Sequence, residues 1–387
     1  MLSSMAFVRL DSSDPTVNPG WTLPPAFSDR IIVCDRDNPL EGLRRLQELQ
    51  SRRPGRWVGF LSYDLAQVLE QPRPSRHNPV LPLYVFAHVG PDQPKFDGKL
   101  QLPHHRHSDV PLRADFTPTA YLAAVQRCKD YIAAGDIYQV NLSQRFTVGL
   151  RQRPYQIYQR LMQQYPALYG GYLDFGDFAL ICNSPELFLR VEPLSDGRRR
   201  VTTRPIKGTR PRAPGMDVEL RDSIKDQAEL NMIVDLERND LGRVCQIGSV
   251  KVTQPRVIEA HPTVYHGVAT IEGILRSEVT FVDLLCATFP GGSITGAPKI
   301  RAMQIIDELE PVPRGPYCGA IGFLDADGSM QFNIAIRTMV VADGLVHIHV
   351  GGGIVADSDP AAEYDETLIK ARAMFAALGI ATPESCE

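Results

Sequence analysis

The chain has 387 residues, of which 43% are hydrophobic and 22% charged, with a formal net charge of -4. That length exceeds what a single ordinary hydrophobic core occupies, so two domains or one large interwoven domain is expected, and the mixed composition excludes a disordered or fibrous chain. Slight acidity without long Lys/Arg runs leaves no footprint for nucleic acid or an anionic membrane, so neither is expected as a partner, although local charges could hold a small anion.

No basic segment followed by an apolar stretch opens the sequence, and no apolar run is long enough to cross a bilayer, so the cytoplasm is the expected address. The seven cysteines, Cys34, Cys128, Cys182, Cys245, Cys286, Cys318 and Cys386, are dispersed and form no Cys-x-x-Cys pair. They argue against a disulfide framework or structural zinc and read as small buried hydrophobes. None sits in the Gly-x-Cys-x-Gly elbow of a glutaminase nucleophile.

In chain order, LEGLRRLQEL (40–49) predicts an amphipathic helix with Leu40, Leu43, Leu46 and Leu49 on one face, and RWVGFLSYDL (56–65) a buried strand. Residues 71–80 and 88–117 read as loop or linker. Their His104, His105 and His107 could bind a metal but read better as a solvated patch. A boundary near residue 115 divides an N-terminal region, 1–115, packed on the core, from the region 116–387 that carries the chemistry. Beyond it, helices and strands mix without regular alternation, which predicts an antiparallel α+β fold.

In TTRPIKGT (202–209), Lys207 stands between a rigid Pro205 and a permissive Gly208. It is either an exposed turn lysine or, if burial or nearby cations disfavour its ammonium form, a nucleophile. Residues 221–237 predict one helix with Asp222, Asp226 and Glu229 along a face and Ile224, Ala228, Met232 and Val234 in apolar contacts. PGGSITGAPK (290–299) places Gly291, Gly292, Ser293, Thr295 and Gly296 before a helix opened by Pro298, a possible anion cradle. Two strands, 330–341 and 345–354, are joined through the Asp343-Gly344 turn. The first should turn Phe332, Ile334 and Ile336 to one face and Asn333, Ala335 and Arg337 to the other. Three glycines, 351–353, would let a ligand approach the backbone. Asp359 and Pro360 then cap and open a helix over 358–378, on which Glu363 and Glu366 share a face. Such acidic faces are either solvated or compensated by a hard divalent cation such as magnesium.

Seven ordered blocks carry a resemblance to the chorismate-utilising enzymes: SPELF (184–188), TTRPIKGT, KDQAELNMIVDLERNDLGR (225–243), FPGGSITGAPKIRAMQIIDELEP (289–311), GPYCGAIG (315–322), FNIAIRT (332–338) and GGGIVADSDPAAEYDET (351–367). This family includes aminodeoxychorismate synthase component I, anthranilate synthase component I, and the isochorismate and salicylate synthases. The resemblance implies two antiparallel sheets packed together with helices outside and the substrate cleft between them. It implies magnesium bound by Glu229 and Glu366, with Asp226 and Glu363 as further acidic positions. Arg337 and Tyr317 would hold the enolpyruvyl carboxylate, and backbone at Gly352 and Gly353 the ring carboxylate. Thr209 and Thr295 fall in substrate-contacting segments, Glu186 is the implied general acid/base, and His266 occupies the family's active-site histidine position, within VYHGVAT where His-Leu-Val-Ser is more usual.

PIKGT, in place of the PIAGT usual in anthranilate synthases, resembles the aminodeoxychorismate synthase form. It implies that Lys207 attacks C2 as the C4 hydroxyl leaves, and that ammonia from a separate glutamine amidotransferase subunit then displaces it at C4. A separate pyridoxal-phosphate lyase would complete 4-aminobenzoate formation. Alternatives are an anthranilate synthase with an atypical lysine, an isochorismate or salicylate synthase, or a catalytically inert chorismate-binding regulator. The family's tryptophan pocket is not expected to work here, because its Leu-Leu-Glu-Ser segment is missing and YPALYGGYLDF (165–175) replaces its Asn-Pro-x-Pro segment.

Overall fold

A computed structural model describes residues 5–18, 20–29, 31–34, 38–70, 75–91 and 102–384. Two antiparallel sheets are built by a chain that passes repeatedly between them. β1 (Ala6–Asp11) and β2 (Leu23–Ser28) enter the first sheet, and β3 (Ile31–Val33), β4 (Arg56–Leu61) and β5 (Tyr84–Val89) the second. The first then receives β6 (Arg113–Ala114), β7 (Gln139–Gly149), β8 (Tyr169–Asp174) and β9 (Phe178–Ser184). The second receives β10 (Leu187–Pro193), β11 (Arg199–Arg204), β12 (Ile206–Pro211), β13 (Lys251–Ala260) and β14 (Val264–Ile274). The short β15 (Gly296–Ala297) joins the first, β16 (Ala320–Asp325) and β17 (Met330–Ile334) the second, and β18 (Thr338–Ala342) and β19 (Leu345–Ile354) the first. Strands from either side of residue 115 are thus neighbours within both sheets: β1 pairs with β8, and β4 with β16.

Period-two alternation separates three cores. Val8, Leu10, Phe60, Leu180 and Phe323 meet between the sheets. Outside the first sheet, Leu142, Phe146 and Ile348 pack under the helices α3 (Pro118–Ala133), α4 (Pro154–Gln164) and α9 (Pro360–Leu378). Outside the second, Trp57, Val191 and Ile271 pack with α1 (Pro39–Arg52), α6 (Ile224–Gly242) and α7 (Phe281–Thr288). The α+β sandwich read from the sequence is therefore the observed architecture.

Several sequence expectations hold locally. Leu43 and Leu46 of α1 are buried, and Asp359 caps α9 by accepting from the Ala362 N–H at 2.9 Å. Asp343 and Gly344, with φ of 51° and 76°, turn β18 into β19 in the left-handed conformation a tight hairpin requires.

Others are corrected. Residues 330–341 are not one strand: β17 lies in the second sheet and β18 in the first, and the chain crosses between them at 335–337, where Arg337 takes a φ of 49°. The helix expected over 221–237 is broken at Ser223, whose hydroxyl accepts from the Asp226 N–H and starts α6 afresh, leaving Asp222 at the end of a separate helix, Met216–Asp222. Ile224 is consequently 83% exposed, and Leu230, Ile233 and Val234 supply the apolar contacts. His105 is not solvated: its Nε2 lies 3.0 Å from the buried Asp174 carboxylate. Of the cysteines, Cys128, Cys182, Cys245 and Cys318 are buried, Cys34 and Cys286 are partly exposed, and Cys386 lies outside the described residues.

Candidate active site

A cavity of about 620 Å³ lies between the sheets, walled by Glu186 after β9, by β12, α6, β14 and β19, by Tyr317 before β16, by Arg337 of the crossover, and by α9. Its polarity follows from the pleat. In β7 and β19, Leu142, Phe146, Val346 and Ile348 point into the helical layer. The alternate residues therefore face inward, where Gly353 pairs with Asn141 and His349 with Arg145.

Lys207 projects from β12 into this space, with its Nζ 4.0 Å from Glu229 and only 12% of its side chain exposed. Of the two readings open in the sequence, the exposed turn lysine is excluded. A Cβ on Gly353 would stand 2.1 Å from Gln139 Nε2 and 3.3 Å from Lys207 Nζ, so the glycine is what lets the lysine lie against the strand. Glu186 is buried, and desolvation pushes its carboxyl up to about 7 against the opposing pull of Ser293, Lys207 and the Ile206 N–H. It can therefore hold a proton near neutrality.

The four acidic positions meet where α6 faces α9. Burial raises Glu229, with Lys207 and Lys225 pulling the other way, and burial also raises Glu363, whose Oε1 accepts from Ser358 at 2.6 Å. Glu366 is lowered, chiefly by Lys370, whose Nζ is 2.6 Å away. Asp226 turns to Arg210 at 3.1 Å. Among the described residues no three His, Cys, Asp or Glu side chains are gathered at metal-ligating spacing. The cluster nevertheless offers hard oxygen donors on the cavity wall, and Gly352 lets them lie against the β19 backbone, since a Cβ there would approach Glu363 Oε2 at 3.1 Å and Glu366 Oε1 at 3.7 Å.

At the crossover, the Arg337 guanidinium lines the cavity and is lowered by burial alone, with no carboxylate offsetting the cost. No side-chain hydrogen bond or ion pair of Arg337 is present among the described residues, which suits it to an anionic ligand. Tyr317 lies beside it in the wall, fully buried, stacked on His349 at 5.3 Å with 13° between the rings. Arg314 braces this corner: it is paired with Glu310 at 2.7 Å, stands over the Tyr63 and Tyr317 rings, and donates to the Ile294 and Asn141 carbonyls. His266 is held well below its ordinary value by burial and then by Arg337, and its Nδ1 lies 2.9 Å from the Thr209 hydroxyl. Both residues line the cavity.

The structure thus gathers Lys207, Glu186, His266, Thr209, Arg337, Tyr317, Gly353, Asp226, Glu229, Glu363 and Glu366 around one cavity, with Gly352 against the acidic rim. It does not bring Thr295 there. That hydroxyl donates to the Gly291 carbonyl at 2.8 Å, and Ser293 is the hydroxyl of the turn that reaches the cavity. Nor is the helix start after Pro298 an open anion cradle, because Lys299 at its first position is buried against Asp240 at 2.6 Å. Ser293, named in the sequence with the glycine turn, does line the cavity, whereas nothing in the sequence spacing of Lys225, His349 and Lys370 distinguishes them from solvated or core residues. In the 165–175 segment, Gly170 accepts the indole N–H of the fully buried Trp21 at 2.8 Å, and Tyr169 meets its ring edge-on at 5.2 Å.

Comparison with known proteins agrees with this geometry. The profile of the chorismate binding enzyme family matches residues 16–376. Anthranilate synthase component 1 of Thermus thermophilus is 49% identical over 278 residues, covering 70% of this chain and 58% of the relative, so the chain spans somewhat over half of that protein. Aminodeoxychorismate synthase component 1 of Bacillus subtilis is 39% identical over 370 residues, covering 85% of this chain and 78% of the relative. The crystal structure of anthranilate synthase component I from Streptococcus pneumoniae superposes with a TM-score of 0.78 at 28% identity, covering 95% of this chain and 92% of that one. Among the described residues no helix is long and apolar enough to cross a membrane. With the matched profile spanning nearly the whole sequence, the chain belongs to the chorismate binding enzyme family.

Proposed function

We propose that this chain is the chorismate-aminating subunit of an aminodeoxychorismate synthase, working in the cytoplasm with ammonia from a partner glutamine amidotransferase. The observation that carries this reading is the Lys207 amine inside the cavity, against Gly353 and beside Glu229, where an anthranilate synthase would usually have alanine. The longer shared extent with the Bacillus subtilis aminodeoxychorismate synthase, 78% of its length, adds support. The higher identity to the anthranilate synthases, 49% over a shorter extent, keeps that reaction as the second reading.

The enolpyruvyl carboxylate pairs with Arg337 beside Tyr317, and the ring carboxylate lies toward Gly352 and Gly353. Glu229 and Glu366 would hold a magnesium ion, with Asp226 and Glu363 as the further acidic positions. When bound, the ion neutralises the ring carboxylate and the crowded acidic rim. The Lys207 amine attacks C2 while both ring double bonds shift, C1=C2 to C1=C6 and C5=C6 to C4=C5, and the C4 hydroxyl departs as water, taking the proton of Glu186. Ammonia then attacks C4, both double bonds return to C1=C2 and C5=C6, and the C2–N bond breaks to release the lysine. Glu186 takes up a proton as the new amine forms, and the ring stays non-aromatic. A pyridoxal-phosphate lyase would then act on the product.

The test is mass-spectrometric identification of the product from chorismate, magnesium and ammonium. An aminated product still carrying its enolpyruvyl group is expected; anthranilate instead would overturn the assignment. Lys207→Ala should keep chorismate binding and lose nearly all of this product, and unchanged turnover in that variant would remove the covalent step.

A further inference from the structure

Asn141 has no role in the reaction as derived. It sits on the inward face of β7, lines the cavity and is 8% exposed, yet its side-chain amide closes no hydrogen bond among the described residues. Neither amide atom is sealed off by its neighbours, in contrast to Gln139 Oε1 two residues earlier on the same face, so a ligand in the cavity can reach both. The backbone beneath is fixed on both sides. Its N–H donates to the Thr295 carbonyl at 2.9 Å, and its carbonyl accepts from the buried Arg314 at 2.5 Å. An amide anchored this firmly in a cavity wall, with its own polar atoms left open, is preorganised for a ligand.

The neighbours of Asn141 decide which ligand atom it meets. In the β7–β19 ladder it stands directly opposite Gly353, so its Cβ is about 4.5–5.5 Å from the place a Cβ of Gly353 would take, and Lys207 Nζ is 3.3 Å from that same place. On the other side lies the 293–295 turn. Thr295 and Arg314 tie it to Asn141, since Arg314 also donates to the Ile294 carbonyl, and Ser293 of this turn reaches Glu186. Asn141 thus lies between the amine that acts on C2 and the carboxyl that acts on C4 of one ring. Arg337 and the glycine rim account for the two carboxylates of the ligand, which leaves the C4 hydroxyl. Its oxygen takes the proton of Glu186, and its own hydrogen needs an acceptor. A neutral amide oxygen provides one without adding charge beside a dianion.

We propose that Asn141 Oδ1 accepts a hydrogen bond from the C4 hydroxyl of chorismate, which makes Asn141 a specificity-determining residue for the 4-substituent. The bond turns a lone pair of the hydroxyl toward Glu186, and the amine that replaces the hydroxyl can donate to the same oxygen. This rests on chorismate being the ligand, as read above.

The experiment is calorimetric binding of chorismate, and of its analogue lacking the 4-hydroxyl, to the full chain with magnesium present and ammonium absent. The chain carries Lys207→Ala so that neither ligand is consumed. Chorismate should bind about tenfold more tightly than the analogue. Adding Asn141→Leu should weaken chorismate about fivefold to tenfold, the equivalent of one hydrogen bond, and the analogue by less than about twofold, so that the preference collapses. Asn141→Asp keeps the acceptor and should keep the preference, although its charge weakens both ligands. Asn141→Ala also removes the amide and serves if the leucine variant misfolds. A preference that survives loss of the amide, an equal weakening of both ligands, or a preference lost in the aspartate variant as well would overturn this contact alone. Failure of the unmutated chain to bind chorismate would instead overturn the reading of the site, and the contact with it.

Discussion

In the proposed reaction, Glu186 would make turnover sensitive to pH in a direction that its burial fixes. A glutamate that ordinarily ionises at 4.5 is pushed by burial to about 7, so near neutrality about half the molecules carry the proton that the departing hydroxyl needs. Turnover should be level below neutrality and then fall tenfold for each pH unit, to about one-tenth at pH 8 and one-hundredth at pH 9. The same shift has a stability consequence. The folded carboxyl binds its proton more tightly than the unfolded one, so this group weakens the fold progressively from pH 4.5 to about 7, by roughly 3 kcal/mol at 1.36 kcal/mol per unit. Above pH 7 the penalty is complete. The assay is kcat against pH at constant free ammonia, since raising pH also converts ammonium to the nucleophile. Glu186→Gln should lower kcat by about 100-fold to 10,000-fold and abolish the alkaline limb while leaving chorismate affinity near normal. A flat profile between pH 6.5 and 9, or a glutamine variant with the same limb, would refute the assignment.

Arg337→Met should raise the KM for chorismate by about 10-fold to 150-fold, matching the loss of charge-assisted bonds of about 1.5–3 kcal/mol, without lowering the melting temperature, because among the described residues the guanidinium has no side-chain hydrogen bond or ion pair to lose. Arg314→Met should behave oppositely. It strands the buried Glu310 and should cost about 3–5 kcal/mol in denaturant unfolding, with partial recovery when Glu310→Gln is added. Free tryptophan should not inhibit turnover, since the segment that replaces the family's effector-binding one is already packed around Trp21; inhibition at micromolar tryptophan would contradict this.

The local elements and the family were legible because their signals are short in range. Leucine spacing marked α1, Asp-Gly marked the β18–β19 turn, Asp359-Pro360 marked α9, and PIKGT marked a lysine beside a permissive glycine. Where local patterns misled, a longer-range contact had taken over. Residues 330–341 read as one strand because alternation does not record which sheet a residue joins, and the crossing at 335–337 depends on hydrogen bonds from Cys318 to the Ala335 carbonyl and from Ala335 to the Gly319 carbonyl. His104 and His107 are exposed as their loop composition suggests, but His105 is not, because Asp174, some seventy positions away, is brought against it.

By itself the sequence determined the α+β class, the family, and most of the groups that line the cavity, since these follow from residue identity and near-neighbour spacing. Only the tertiary structure decided that Lys207 is enclosed, that Ser293 and not Thr295 faces the cavity, and that Glu186 keeps its proton near pH 7. The physical reason is that burial, and the electrostatic cost that comes with it, is a property of what the remaining strands and helices place around a side chain, and no stretch of neighbouring residues contains that information.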